Sequence, residues 1–391
     1  MSLYWFKQRE NILALGIALI VLVLHLIIIE QVNDLMFDEN HYVPEAKSII
    51  DREELDNLEH PPLGKIFIAI GIDIFGDNPF GWRIFSVLFG VASIVLFYLI
   101  CQKLTSNKYI PLIATFIFAF ENQSFVQSSM AMLDVYSLTF MLASFWLYLR
   151  GNYALSGIAL ALATLAKLSG VFGGFIIVGH LLLTRRDKLR DSLGFMIAAP
   201  LAFFVLMPLL DYVAMAEWVF PWDRIEFMRD NLSTLTFSDT DHEALSRPWE
   251  WITSTKTQWF WYDPTYQSNP NWNLWVFIIP AICYALYGAI KRNSLCIFTF
   301  LWFASTYLSW IAMYFINDRV MFRFYLYPSV GAICLVVGFV LYKIWVVYSQ
   351  RENAMVKWAL RVPVISFLIT HLVLFILMSP YCDLRVGSCC P

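Results

Sequence analysis

Asp38 and Glu39 stand side by side just after the first apolar run of the sequence. A carboxylate at a membrane boundary is well placed to take a proton from a hydroxyl group, but a solvated acidic connector has the same composition, so position alone decides little. Next comes Glu59-His60-Pro61-Pro62-Leu63-Gly64-Lys65. Pro61 forces His60 toward an extended backbone, and Pro62 suits the first turn of an apolar helix from Ile66 to Phe75. The free N–H groups of that turn, with His60 and Lys65, can meet an anion such as a phosphate. A stiff helix start with a lysine reaching for the membrane surface explains the same residues equally well.

Three further charges sit where a membrane makes charge expensive. Arg83 opens the second apolar run, Asp134 lies within Met132-Leu133-Asp134-Val135-Tyr136, and Lys167 separates two short apolar stretches. Ionisable residues at membrane depth default to a functional hypothesis. Lys167 is the sharpest, because Ala166-Lys167-Leu168-Ser169-Gly170 marks a reversal at the outer boundary, away from the cytosol where topogenic lysines belong. For Asp134 an internal ion pair, with Arg83 as the candidate partner, is favoured over catalysis. Arg319 and Arg323 flank a short outside turn. One of them is placed to complete a phosphate clamp, since guanidinium binds phosphate bidentately.

The elements that must position these residues are membrane helices. Of 391 residues, 59% are hydrophobic and 15% charged, where a soluble domain carries about a quarter charged residues. Apolar runs near 11–30, 84–101, 109–121, 130–149, 154–168, 170–184, 192–213, 272–290, 294–316, 321–345 and 357–379 predict an all-α polytopic membrane protein. That is about eleven transmembrane helices in one integral membrane domain over residues 1–391. The first run follows Lys7 and Arg9 as a signal peptide would, but no small-residue cleavage site precedes Asp38, so it reads as a retained helix. With the N-terminus cytosolic, Lys103, Lys108, Arg150, Arg185, Arg186, Lys188, Arg190, Lys291 and Arg292 all face the cytosol, and the C-terminus lies outside.

Two outside segments, about 31–81 and about 214–271, are too long for connectors and are expected to carry catalysis and substrate binding. In the first, Pro44 is expected at the start of an interfacial helix with Ala46, Ile49 and Ile50 on one face. The second is rich in Trp and Tyr, which anchor at membrane interfaces. The net charge is −3 and no basic stripe with interleaved aromatics is present, which sets nucleic-acid binding aside. Seven cysteines show no zinc-type spacing. Cys382, Cys389 and Cys390 crowd the C-terminal tail, where an oxidising compartment would allow a disulfide.

Taken in order, these pieces resemble the protein O-mannosyltransferase family of the GT-C membrane glycosyltransferases. The family's Asp-Glu pair after the first helix matches Asp38-Glu39, and its His-Pro-Pro-Leu-x-Lys stretch matches His60 to Lys65. Arg83-Ile84-Phe85-Ser86, Val126-Gln127-Ser128, Leu133-Asp134 and Lys167-Leu168-Ser169-Gly170 continue the pattern. Ser246-Arg247-Pro248-Trp249-Glu250-Trp251 resembles its Ser-x-Pro-Trp-x-Trp loop, and Ser268-Asn269-Pro270 its Gly-Asn-Pro. The tenth span departs, reading Arg323-Phe324-Tyr325-Leu326-Tyr327-Pro328. No room exists for the β-trefoil domain of eukaryotic members, so a prokaryotic style of member fits.

The resemblance implies a GT-C bundle, a polyprenyl or dolichyl phosphate donor of a sugar, mannose by the family's pattern, and a Ser or Thr hydroxyl of a secreted or membrane protein as acceptor. Asp38 is then the catalytic base. Glu39 takes an orienting or acceptor-binding role, and His60, Lys65, Arg83, Asp134, Lys167, Arg247, Arg319 and Arg323 bind substrates. Glu39 with Glu59 or His60 could also hold a divalent metal, a reading the sequence leaves open. A related branch that sugar-modifies outer-membrane lipid shares the acidic pair and the Pro-Pro-Leu turn but usually has lysine at the position of His60. Outside the enzymes, a solute transporter or a non-catalytic partner subunit would share the helices. The charges here gather at one membrane face, whereas transporters hold them near the midplane.

Overall fold

A computed structural model describes residues 8–234, 236–238, 242–348 and 354–381; Cys382, Cys389 and Cys390 lie outside the described residues. The helices are α1 (Arg9–Ile28), α2 (Glu39–Asp51), α3 (Leu63–Phe75), α4 (Pro79–Leu104), α5 (Tyr109–Ala119), α6 (Asn122–Ser128), α7 (Leu133–Leu149), α8 (Tyr153–Ala166) and α9 (Phe172–Thr184). They continue as α10 (Leu193–Met215), α11 (Pro221–Thr234), α12 (Glu250–Thr253), α13 (Trp272–Val276), α14 (Ile278–Ile290), α15 (Ser294–Phe303), α16 (Ser309–Asn317), α17 (Tyr327–Lys343) and α18 (Ala354–Met378). A two-stranded antiparallel hairpin, Trp259–Trp261 with Tyr266–Gln267, sits in the Trp-rich segment.

Among the described residues, six helices are long and apolar enough to cross a membrane, and a seventh is gained if α6 and α7, bent by 111°, form one span. The segment Leu168–Thr184 and α5, α8 and α14 are apolar but only 10–17 residues long. A straight crossing of about 30 Å asks for about 20 residues. Length and composition therefore carry six or seven of the spans expected from hydropathy, and the expected number of eleven is not confirmed.

Local sequence explains the element ends that matter for the site. Asn78 caps α4 by accepting from the Gly81 N–H, with Pro79 just inside the helix, where its missing N–H costs nothing. Glu121 caps α6 through the N–H groups of Gln123 and Ser124. Pro62 ends the stiff stretch after His60 and α3 starts at Leu63, three residues before the expected Ile66. Helix α2 also starts earlier than expected, at Glu39, with Pro44 inside it. Its start is set by Glu39, which is anchored from outside the helix, and Pro44 sits early enough to remove only one backbone hydrogen bond.

Packing brings these helices together. Helix α7 packs on α4 and α8, α8 on α10, α17 on α5, and α3 on both α2 and α4. A Cβ on Gly64 would meet Leu133 Cδ2 at 2.6 Å and the Ala166 carbonyl at 3.3 Å. Glycine there lets the start of α3 press onto the start of α7 and the end of α8, beside Lys167. The side chain of Gln31 donates to the Pro380 carbonyl, and Tyr381 reaches the Leu24 carbonyl, so α18 finishes beside the C-terminal end of α1.

Candidate active site

Glu39 is an anchor. It is fully buried and receives Arg83 in a bidentate pair, Nε to Oε1 at 2.9 Å and Nη2 to Oε2 at 2.8 Å. The Met36 N–H donates to Oε2 at 2.9 Å and the Ala131 N–H to Oε1 at 2.8 Å. Arg83 spends its remaining donors on the carbonyls of Ile29, Val32 and Asp34. This corrects two expectations. Arg83 pairs with Glu39 rather than with Asp134, and both are closed off from substrate. The anchor ties the loop after α1, the start of α2, the first turn of α4 and the break between α6 and α7 to one point.

Asp38, the neighbour, points elsewhere. It is half-buried at the start of α2, preceded by Phe37 in a left-handed backbone conformation with φ of 47°. Tyr42, one helical turn on, donates its hydroxyl to Oδ2 at 3.4 Å. Burial pushes the Asp38 carboxyl up to about 6; the Lys167 cation opposes that rise and the Asp134 anion adds to it. A base titrating near 6 is ionised at neutral pH and is a better proton acceptor than an ordinary carboxylate.

Lys167 lies in the break after α8 with extended backbone, its Nζ 2.9 and 2.7 Å from the two oxygens of Asp134. The ammonium also sits 5.1 Å from the Phe324 ring centre and 5.0 Å from that of Tyr325. Phe37 touches the edge of Phe324 at 5.8 Å between centres, so an aromatic wall joins the loop of Asp38 to the turn before α17. Tyr42, Phe324 and Tyr325 were not singled out from sequence. The i, i+4 spacing of Asp38 and Tyr42 was the available signal for the first.

His60 is buried, and its Nδ1 has no partner among the described residues. Burial holds it well below its usual value, reinforced by the cations Lys167, Arg319, Lys65 and Arg224, so it is a neutral donor or acceptor near neutral pH. Behind it, Arg224 pairs with Asp211 at 3.3 Å and reaches the His60 carbonyl at 3.4 Å. Arg319 is buried and, among the described residues, has an unpartnered Nε and one long contact, Nη1 to the Leu232 carbonyl at 3.4 Å. His60 and Arg319 therefore keep binding capacity in reserve beside Lys167.

Other expected binders are placed differently. Lys65 is buried against Glu45 at 3.1 Å and the backbone and side-chain oxygens of Asn57, while Glu45 accepts the N–H groups of Asp56 and Asn57. It fastens the loop between α2 and α3 and has no free donor for substrate. Arg323 donates to the carbonyls of Glu250 and Ser254 at 3.0 and 2.7 Å, holding the Trp-rich segment. Arg247 is exposed, stacked 5.8 Å from Trp249 and Tyr314, on the outer surface of that segment. The metal set does not fit: all four hydrogen bonds accepted by Glu39 are filled from protein, and no group of three His, Cys, Asp or Glu able to hold an ion occurs among the described residues.

Comparison with known proteins gives this geometry its setting. The family profile described as dolichyl-phosphate-mannose-protein mannosyltransferase matches residues 59–212, from His60 through Lys167 and beyond. The polyprenol-phosphate-mannose–protein mannosyltransferase of Corynebacterium glutamicum is 22% identical over 88% of this chain and 84% of its own length. The solved S. cerevisiae protein O-mannosyltransferase Pmt1-Pmt2 complex, bound to the sugar donor, shares the fold with a TM-score of 0.78 at 13% identity, covering 96% of this chain and 90% of that one. The chain resembles the protein O-mannosyltransferase family, in sequence over residues 59–212 and in fold over nearly its whole length. It is a multi-pass membrane glycosyltransferase of GT-C fold. Apo ArnT from Cupriavidus metallidurans has the same fold at lower similarity, with a TM-score of 0.61 at 14% identity, covering 96% of this chain and 77% of that one. Within the protein O-mannosyltransferase pattern, the Asp-Glu pair thus divides into a buried anchor, Glu39, and a reachable carboxylate, Asp38.

Proposed function

We propose that this enzyme transfers mannose from a polyprenyl or dolichyl phosphate to Ser or Thr hydroxyls of proteins on the non-cytosolic side of the membrane, with inversion. The observation that carries the reading is the grouping of Asp38, a half-buried carboxylate raised to about 6, with Lys167 and the unpartnered Nδ1 of His60. The similarity to mannosyltransferases that use polyprenol-phosphate-mannose supports the choice of donor and acceptor.

Asp38 takes the proton of the acceptor hydroxyl as that oxygen forms a bond to the anomeric carbon. The bond from that carbon to the phosphate oxygen breaks, and the lipid phosphate leaves with the electron pair. Phosphate is a good leaving group, so cations suffice and no general acid is needed. Lys167 and Arg319 meet its charge, with neutral His60 donating from its free ring nitrogen. The N-terminus is assigned to the cytosol and the active site and C-terminus to the outside, following the distribution of basic residues.

The test is transfer by the purified protein from radiolabelled polyprenyl-phosphate mannose to a Ser- and Thr-containing peptide. Label in the peptide, with inverted anomeric configuration, is expected. Label appearing only in a lipid acceptor would select the ArnT-like activity instead, and no consumption of any polyprenyl-phosphate sugar would overturn the reading.

A further inference from the structure

We infer that the ends of α1, α4, α5 and α7 remote from Asp38 build a binding site for the phosphate headgroup of an anionic membrane lipid. Arg83 stands in the first turn of α4 with the catalytic loop, and Lys103 stands in the last turn of the same 26-residue helix. The 20 residues between them set the two places about 30 Å apart along the helix. At that far end lies a cavity of about 450 Å³ lined by Lys103, Lys108 and Arg150, with Glu10 as the opposing charge.

Three features distinguish the place from scattered topogenic charge. The three cations line one cavity, Lys108 over the Tyr109 ring and Arg150 over the Trp146 ring, and none has a carboxylate in salt-bridge reach among the described residues. Elsewhere on the same face Lys188 is paired with Asp191 at 3.6 Å and Arg186 donates to the Leu182 carbonyl. The walls are also built. Gln102 and Tyr98 both donate to the side chain of fully buried Asn11, and the 105–108 turn is held by Asn107, which accepts from the Tyr109 N–H and donates to the Tyr342 hydroxyl. Three cations against one acid leave a surplus that suits a phosphate.

The third feature selects a lipid over a soluble anion. Leu99 and Trp146, the latter stacked under Arg150 at 4.9 Å, give the cavity an apolar wall. One turn further into α1, Ile12 and Leu13 are exposed. A headgroup in the cavity thus has a track for its acyl chains along a membrane-spanning helix, and basic pockets between helices are where anionic headgroups bind. The orientation proposed above makes this the cytosolic leaflet, and the site itself does not depend on it.

The test is native mass spectrometry of the full-length, detergent-solubilised protein titrated with phosphatidylglycerol, phosphatidylcholine or inorganic phosphate. Phosphatidylglycerol should be retained in preference to phosphatidylcholine and should resist an equal concentration of inorganic phosphate. Lys103→Ala/Arg150→Ala should weaken retention about 25-fold, at about fivefold per cation. Arg186→Ala/Lys188→Ala, on the same face, should leave it unchanged. Equal loss in the two double variants, equal retention of the two lipids, or displacement by inorganic phosphate would each overturn the site. Transfer from polyprenyl-phosphate mannose in every variant certifies folding. Its absence from the wild-type protein as well would count against the proposed activity and leave the lipid result standing.

Discussion

Replacing Lys167 by methionine separates two roles that one side chain carries. Its Nζ lies 2.7 Å from Asp134 with both side chains only 3% exposed, and among the described residues no other group bonds to that carboxylate. Removing the cation strands a buried anion, which costs about 3–5 kcal/mol, whereas replacing both partners by apolar residues of similar volume is often neutral. Lys167→Met should therefore lower thermal stability sharply, and Asp134→Leu/Lys167→Met should recover most of it. Donor binding should not recover. A lost charged hydrogen bond to phosphate costs about 1.5–3 kcal/mol, so both variants should bind polyprenyl-phosphate mannose about ten- to a hundredfold more weakly. Heat challenge followed by size-exclusion chromatography reads the first quantity, and titration calorimetry of detergent-solubilised protein reads the second. Wild-type donor affinity in the stable double variant would remove Lys167 from the phosphate site, and a single variant as stable as wild type would refute the buried pair.

Asp38→Asn should reduce turnover about a hundredfold while the protein stays folded and binds donor. Because the base acts when unprotonated and burial has raised it, kcat/KM should climb as pH rises through about 6 and then level, and this inflection should vanish in Asp38→Asn. Glu39→Gln should act on stability, losing about 3–5 kcal/mol through the stranded Arg83, as measured by folded yield. A stable but inactive Glu39→Gln beside an active Asp38→Asn would exchange the two roles. Arg319→Met should raise the donor dissociation constant about tenfold, whereas Arg323→Met should raise KM for the acceptor peptide instead; the reverse pattern in steady-state kinetics would assign the clamp to Arg323.

The sequence was most informative where a residue broke a local rule. Lys167 was conspicuous because a lysine at an expected outer reversal contradicts membrane topology, and in the fold it pairs with Asp134 against the rings of Phe324 and Tyr325. His60 was legible because Pro61 fixes its backbone, and Asp38 only through the family's Asp-Glu pattern. Partners were not legible. Glu39 and Arg83 are 44 positions apart, and Lys65 and Glu45 are 20 apart. Hydropathy gives the faces of helices but not the register in which helices meet, so Arg83 was matched with the wrong acid and Lys65 with a ligand. The short helices misled differently. An apolar run announces burial in lipid or in protein alike, and α5, α8 and α14 leave that choice open on length.

The grip of Arg323 on the carbonyls of Glu250 and Ser254 has a thermodynamic consequence. The same turn carries Arg319 and the Phe324 and Tyr325 rings beneath Lys167, so the phosphate end and the Trp-rich segment are fastened by one guanidinium. Two ligands that bias one shared element obey reciprocity: whatever factor the lipid donor adds to peptide affinity, the peptide must add to donor affinity. Cutting the fastening should drive that factor toward one in both directions at once, so the higher acceptor KM of Arg323→Met should be largest when donor is bound.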